Sequence, residues 1–272
     1  MNPVNYLYLA ALLFSTGGAA IKACALPAWQ VAGFRSLIAA AAIPLLARSA
    51  RRAWSGRTLL VGVGYAATLV LFALANKYTT SAHAIFLQST APLYLLVAGP
   101  LLLGEKVRRS DVLFMTALAA GLALFFGGTE APRDTATDPE LGNLLAAASG
   151  VTWALSVSGL RWLARDDEQG GAALSAALVC IPVAWPLETG TTTDWALLVF
   201  LGVCQIGLAY ACLSAGVRRV PALEATLLLL LEPVLNPVWT WLVHGEAPGP
   251  LALAGAVVIL AATVVHAFRA RT

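Results

Sequence analysis

Residues 91–105 (APLYLLVAGPLLLGE) and 232–246 (EPVLNPVWTWLVHGE) are two apolar stretches with the same pattern. The second residue of each is proline, the last two are Gly-Glu, and these matches share an offset of 141 residues. At a nearby offset of 139 residues, Phe14 matches Trp153. These residue pairs lie in separate parts of the chain and are all separated by about 140 positions. They indicate that the chain contains two copies of one unit, each about half its length.

Few residues of this chain carry a charge. Of its 272 residues, 11% are Asp, Glu, Lys or Arg, 59% are apolar, and the mean hydropathy is +0.79. Soluble domains contain about 25% charged residues, and one core of this size could not remove so much apolar surface from water. The composition therefore argues against a soluble enzyme or a disordered protein. The net charge of +3 is too small for a nucleic-acid-binding surface.

The apolar residues fall into stretches of the length that spans a bilayer, which is about 20 residues for a helix. Ten such stretches are predicted, at 4–22, 29–47, 58–76, 81–103, 110–127, 141–163, 171–187, 194–215, 221–243 and 250–268. Thirteen of the 17 Lys and Arg residues fall in the even-numbered loops and the C-terminal tail. Because cytoplasmic loops are enriched in cations, we expect both termini to be cytoplasmic in a bacterial-type inner (plasma) membrane.

The duplication divides these spans into two groups of five. The first repeat is 1–128, the external linker is 129–140, and the second repeat is 141–272. Since five is odd, the second repeat enters the membrane from the opposite side. The predicted fold class is therefore an all-α membrane protein with ten transmembrane helices in a 5+5 inverted-topology repeat. Secondary transporters with this architecture bind substrate near the midplane, between the repeats, and Pro92 and Pro233 are the candidate helix hinges.

The pattern resembles a known family. Each repeat ends its fourth helix with Pro, eleven further residues and then Gly-Glu, and 13–17 (LFSTG) and 34–35 (FR) fit as well. These features resemble the EamA-like branch of the drug/metabolite transporter superfamily, and within it the YddG-type exporters of aromatic and other amino acids. The resemblance covers essentially the whole chain. It implies export of amino acids or related small metabolites by alternating access, through a cavity between helices 1, 3, 4 and 6, 8, 9.

Predicted span nine contains the one carboxylate deep inside an apolar run. Glu232, Asn236 and Trp239 are spaced i, i+4, i+7 and therefore share a helix face. A carboxylate in hydrocarbon costs about 3 kcal/mol or more, so Glu232 should face protein or water. It could bind the ammonium group of a substrate or a proton. Alternatively, it is a structural carboxylate bonded to the backbone or to a neighbouring helix.

Predicted span four supplies further candidates for the substrate path. The repeat maps Gln88 onto the face of Glu232, whereas His83 and Tyr94 share another face. His83 could bond a substrate carboxylate or titrate as the pH falls, or it could be a hydrated residue at a helix end. Tyr78, just before this span, is a path candidate or an interfacial tyrosine.

Spans six, one and eight complete the candidate site. Trp153 lies in mid-span beside Ser156, away from the span ends where an aromatic belt is expected. It could form a cavity wall that stacks on a substrate or attracts its ammonium, or it could be a packed core aromatic. The remaining candidates are polar residues that could instead bond their own helix backbone: Ser15, Thr16, Gln205 and Tyr210.

Three further charged residues are expected to be structural. Arg35 is the one cation well inside a span, where it could snorkel to the membrane surface or pair with a carboxylate. Glu105 and Glu246 follow the paired glycines and are expected at helix ends. No metal site or cofactor is expected. The expected partners are an amino acid or similar small molecule and the lipid bilayer, with no nucleic acid, and the protein is expected to be a monomer.

Other functions remain as alternatives. Export of drugs such as lipophilic cations is disfavoured because 4–21 contains no acid, and sugar-phosphate exchange because 223–243 contains no Lys or Arg. A membrane enzyme or receptor is a candidate from a different class. No HExxH motif is present, and the three histidines, His83, His244 and His266, are widely spaced. The sequence does not distinguish proton coupling from exchange or uniport.

Overall fold

The computed structural model describes residues 2–47, 50, 55–104, 108–127, 136–185, 188–246 and 249–269. Within these ranges the chain forms helices and no strands. The α-helices are α1 (Pro3–Ser15), α2 (Gly17–Ala23), α3 (Ala28–Leu46), α4 (Gly56–Tyr78), α5 (Ser81–Gln88), α6 (Ala91–Ala98), α7 (Arg109–Gly127), α8 (Pro139–Leu163), α9 (Gln169–Cys180), α10 (Thr192–Phe200), α11 (Ala209–Val217), α12 (Ala222–Leu228), α13 (Leu231–His244) and α14 (Pro250–Arg269). A 3-10 turn, Ile181–Ala184, extends α9, and π-helical turns follow α6 (Gly99–Leu103) and α10 (Leu201–Leu208).

Six helical stretches of the described chain are long and apolar enough to cross a membrane. They are Pro3–Ala23, Ala28–Leu46, Gly56–Tyr78, Pro139–Leu163, Thr192–Val217 and Glu224–His244. Asp111–Leu124 and Gln169–Ala184 are shorter apolar helices. The predicted all-α membrane class is thus confirmed. The ten-span count and its 5+5 arrangement stay predictions.

The two sequence stretches that define the duplication both begin after a break between helices. A turn at 89–90 separates α5 from α6, and a turn at 229–230 separates α12 from α13. Pro92 and Pro233 lie in the first turn of the helix that follows each break. Proline cannot donate a backbone hydrogen bond and it crowds the carbonyl four residues earlier. The prolines therefore explain why both helices are interrupted at equivalent positions.

The paired glycines of the duplicated pattern end their helices. Gly104 has a φ of 66° and Gly245 has a φ of 69°, which is the left-handed conformation that commonly terminates a helix. Glycine adopts this conformation at no steric cost because it has no Cβ. The left-handed conformation of the two glycines therefore explains why each helix ends after its apolar run. Glu246 follows directly, and its carboxylate forms a 3.0 Å ion pair with Nζ of Lys22.

Some sequence expectations fall outside the described residues. Glu105 and residues 129–135 of the linker are among them. So are six of the cations that the orientation prediction uses: Arg48, Arg51, Arg52, Lys106, Arg133 and Arg271.

The core consists of two apolar clusters. The first contains Leu7 and Tyr65, the second contains Ile21 and Phe86, and Trp153 packs against both. Helices α7 and α14 pack on each other. None of the side chains described in these two helices lines the cavities described below.

Candidate substrate cavity

A small central cavity, with a volume of about 30 Å³, lies among the helices of both halves of the chain. The cavity is lined by Phe14, Arg35, Tyr65, Thr68, Leu69, Phe72, Gln88, Trp153, Gln205 and Glu232. A second space of about 20 Å³ shares three of these residues, Gln88, Trp153 and Glu232, and extends to both prolines at the helix breaks.

Glu232 lies in the wall of both spaces. It is the second residue of α13, directly after the break at 229–230, and the side chain is buried. Among the residues that the structure describes, its carboxylate has no hydrogen-bond or ion-pair partner. The alternative of a carboxylate bonded to the backbone or to a neighbouring helix therefore finds no support in this part of the chain. A buried carboxylate without a partner is available to a ligand.

Arg35 also lines the cavity, which the sequence analysis did not anticipate. Its side chain is 0% exposed and therefore does not snorkel to a membrane surface. One terminal nitrogen, Nη2, donates to the carbonyl of Leu69 at 2.7 Å, and Nη1 donates to Oε1 of Gln205 at 3.3 Å. Nε has no acceptor. Arg35 is the one cation well inside a predicted span, and this feature could have identified it as a residue of the cavity.

Two glycines after the break in the first helix allow two amides to approach closely. A Cβ at Gly17 would lie 2.8 Å from Nε2 of Gln205, and one at Gly18 would lie 2.6 Å from Oδ1 of Asn236. Both distances are shorter than ordinary van der Waals contact. Asn236 is 0% exposed, and neither polar atom of its amide has a hydrogen-bond partner.

The hydroxyl groups expected to contribute from the first helix bond to protein atoms instead. Oγ of Ser15 donates to the carbonyl of Leu12 at 2.7 Å and accepts from Nε1 of Trp239 at 2.9 Å. Oγ1 of Thr16 donates to the carbonyl of Leu13 at 2.7 Å. None of Ser15, Thr16 and Trp239 lines the cavity.

Aromatic residues form one side of the cavity. The Trp153 ring meets the Phe14 ring edge to face, with centroids 5.9 Å apart, and lies 5.9 Å from the tilted Tyr65 ring. Trp153 is partly exposed, whereas Phe14 and Tyr65 are buried. The wall thus presents π surfaces on which an apolar or aromatic substrate group can stack.

Gln88 and Gln205 are further path candidates that line the cavity, but several candidates lie elsewhere. The Tyr210 hydroxyl donates to the carbonyl of Gln169 at 2.9 Å, so its polar group is satisfied by the backbone. Ser156 lines a separate groove between α4 and α8, and its Oγ donates to the carbonyl of Thr152 at 2.6 Å.

The three candidates around predicted span four also lie outside the lining. Nδ1 of His83 lies 2.7 Å from Oγ1 of Thr80, the residue that caps α5. Tyr78 is the last residue of α4. Tyr94 is 38% exposed on α6.

Helix α4 provides lining residues that the sequence analysis missed. They share one helix face because their spacing is i, i+3, i+4 and i+7: Tyr65, Thr68, Leu69 and Phe72. Oγ1 of Thr68 donates to Oγ1 of Thr152 at 2.9 Å and thereby joins α4 to α8. Only one tyrosine and one threonine occur in this set, so the sequence alone does not distinguish the cavity face of α4 from its other faces.

The close contact at Gly18 leads to a first prediction. Gly18→Ala should lower the free energy of unfolding by about 1–3 kcal/mol, because the new methyl overlaps a fully buried amide. It should also weaken transport, because Asn236 must move. Thermal unfolding in detergent and initial transport rates measure the two effects. Gly64→Ala is the matched control, since a Cβ there meets nothing within 4 Å. Equal stability of the two variants would contradict the prediction.

The long apolar helices of the described chain are those of a multi-pass membrane protein. Comparison with known proteins identifies its kind. The sequence profile of the EamA-like transporter family matches residues 3–127 and again residues 140–268. The chain therefore belongs to the EamA-like transporter family, as its sequence pattern had indicated, and is a transporter of the drug/metabolite type.

Several relatives are also similar in sequence or fold. The pseudopaline exporter CntI of Pseudomonas aeruginosa strain UCBPP-PA14 is 28% identical over 94% of this chain and 92% of its own. The aromatic amino acid exporter YddG of Ancylobacter novellus is 27% identical over 64% of this chain and 62% of its own. A solved crystal structure, 22% identical, shares the fold with a TM-score of 0.76 over 99% of this chain and 97% of its own.

Proposed function

We propose that this protein is a secondary transporter that exports amino acids, aromatic and other neutral ones, or related small metabolites across the inner membrane. The observation that carries the proposal is the central cavity, in which the buried, unpartnered carboxylate of Glu232 lies near an aromatic wall built around Trp153. A carboxylate suits an ammonium group, and aromatic rings suit an apolar side chain.

The proposed topology is a 5+5 inverted repeat of ten transmembrane helices with both termini in the cytoplasm. Two matches of the family profile support the repeat, one on each side of residues 129–139. Equivalent helix breaks before Pro92 and Pro233 support it independently. The repeats are 1–128 and 141–272. A monomer is the proposed functional unit, because one chain contains both walls of the cavity.

The proposed mechanism is alternating access, in which the two repeats rock about the substrate. The breaks at 89–90 and 229–230 are suited to act as hinges, because the intrahelical hydrogen bonds are interrupted there. Both breaks border the second space, beside Gln88 and Glu232. Movement of either helix would therefore change the cavity directly.

The similarity to the pseudopaline exporter favours a second candidate. That relative is similar over nearly the whole chain, whereas the aromatic amino acid exporter is similar over 64% of it. In this alternative the substrate is a larger metabolite that occupies both adjoining spaces.

Transport by the purified protein in proteoliposomes tests the proposal. Vesicles loaded with unlabelled amino acid should accumulate labelled phenylalanine, tryptophan or leucine faster than protein-free vesicles. Unlabelled substrates of different sizes compete in the same assay and distinguish the two candidates. Absence of flux for every amino acid tried would refute the assignment of amino acids as substrates.

A further inference from the structure

We propose that Arg35 is a carboxylate-binding residue, and that the central cavity is therefore selective for zwitterions over amines and neutral molecules. This inference rests on the proposed function and specifies the chemistry of its substrate. The guanidinium would bind the carboxylate of an amino acid, while Glu232 would bind its ammonium group.

The first argument is the incomplete set of partners around Arg35. Its two hydrogen bonds go to neutral acceptors, the Leu69 carbonyl and the Gln205 amide. Its Nε is buried and has no acceptor among the described residues. Within the described residues no carboxylate lies within 4.0 Å of the guanidinium. A guanidinium remains charged in proteins, and buried charges are normally paired. A ligand carboxylate in the cavity would supply the missing counter-charge.

The second argument is the arrangement of opposite charges in one cavity. Arg35 on α3 and Glu232 on α13 both line it, and they do not form an ion pair with each other. A zwitterion carries one charge for each of them and would neutralise both at once. A simple amine would leave Arg35 without a counter-charge, and a carboxylic acid without an amine would leave Glu232 without one.

The third argument is that Gln205 holds the guanidinium in place. Its amide is 4% exposed and is packed against Gly17, where a Cβ would lie 3.2 Å from its Cδ. Its Oε1 accepts from Nη1 of Arg35. This contact uses one N–H of Nη1, and Nε, which has no acceptor among the described residues, remains able to donate to a carboxylate. Gln205 is therefore a positioning residue for Arg35.

The test compares an amino acid with its decarboxylated amine and with its amide, as competitors of labelled amino-acid uptake into proteoliposomes. The wild type should bind the amino acid about tenfold or more tightly than either analogue, because each analogue loses a charge-assisted hydrogen bond. Arg35→Lys should reduce this discrimination, since lysine keeps the charge but not the planar fork. Arg161→Lys, at a cation outside the cavity that donates to the Val217 carbonyl, is the matched control and should behave like the wild type.

A second variant keeps the test decisive if Arg35→Lys does not fold. Gln205→Glu places a carboxylate beside the guanidinium and imitates the bound substrate. Its thermal midpoint should stay the same or rise, while the KM for amino acids should increase about tenfold or more. Equal inhibition of the wild type by amino acid and amine, or an unchanged KM in a folded Gln205→Glu protein, would overturn the proposal.

Failure of the proposed function gives a different result. If the wild type transports no amino acid, thermal-shift titrations with phenylalanine and phenethylamine still test the subsite directly. Stabilisation by phenylalanine alone, lost in Gln205→Glu, would support carboxylate binding without transport. Stabilisation by neither compound or by both equally would refute it.

Discussion

Glu232→Gln should reduce amino-acid flux about tenfold or more, without loss of folding. The amide has nearly the same shape as the carboxylate but no charge, so a substrate ammonium loses a charge-assisted interaction of roughly 1.5–3 kcal/mol. The folded state should tolerate the change or gain stability from it, because an unpartnered buried charge is replaced by a neutral group. Initial uptake rates, measured with and without a pH gradient, report both binding and proton coupling.

Glu224→Gln is the matched control for this prediction. Glu224 lies on α12, on the other side of the break from Glu232, and it does not line either space. Its replacement should leave the flux nearly unchanged. If Glu232→Gln transports at the wild-type rate and responds to pH as the wild type does, Glu232 neither binds the substrate nor couples protons.

Breaking the Lys22–Glu246 ion pair should destabilise the protein by about 3–5 kcal/mol, because it removes the carboxylate that lies against a buried ammonium. Both side chains are 5% exposed, and the pair joins the end of α2 to the residue that follows Gly245. Glu246→Gln tests this in thermal or denaturant unfolding in detergent. The double variant Lys22→Met/Glu246→Gln should recover part of the loss, since it also removes the buried ammonium.

An exposed ion pair of similar length provides the control. Arg57 and Asp166 are 2.8 Å apart, with side chains that are 37% and 52% exposed. Asp166→Asn should change the free energy of unfolding by less than about 1 kcal/mol, because water screens such pairs. If Glu246→Gln lowers the free energy of unfolding no more than Asp166→Asn does, burial does not make the Lys22–Glu246 pair more stabilising than an exposed pair.

The features that the sequence predicted correctly depend on local structure. Proline restricts the backbone, and glycine adopts left-handed conformations that other residues avoid. The duplicated pattern therefore indicated where helices break at Pro92 and end at Gly245. A charged residue in an apolar run is equally visible, and Glu232 lies in the wall of the cavity, while its part in a substrate path stays a prediction. The residues predicted to share a helix face with Glu232 have different surroundings, however. Asn236 packs against Gly18, whereas Trp239 bonds Ser15 outside the cavity lining.

The features that the sequence did not predict depend on packing between distant elements. Helix α4 is apolar around most of its circumference, so its sequence does not identify the cavity face that contains Tyr65 and Thr68. Arg35 was assigned a structural role because its distance from the span end allowed snorkelling. The carbonyl of Leu69 and the amide of Gln205 instead hold it inside the protein, and neither contact can be inferred from spacing along the chain.

Access to a cysteine in the central cavity tests the central claim most directly. Thr68→Cys places a thiol of similar size in the cavity wall, in a background where the four native cysteines (Cys24, Cys180, Cys204 and Cys212) are replaced by alanine. A membrane-impermeant thiol reagent is applied to right-side-out and inside-out vesicles. Thr116→Cys, exposed on α7 and outside the cavity lining, is the control for protection by substrate.

Alternating access through this cavity predicts that Cys at position 68 reacts from both sides of the membrane. It also predicts that a transported amino acid slows the reaction on both sides, with no such effect in the Thr116→Cys control. Reaction from one side only, or labelling at unchanged rates in saturating substrate, would contradict the account.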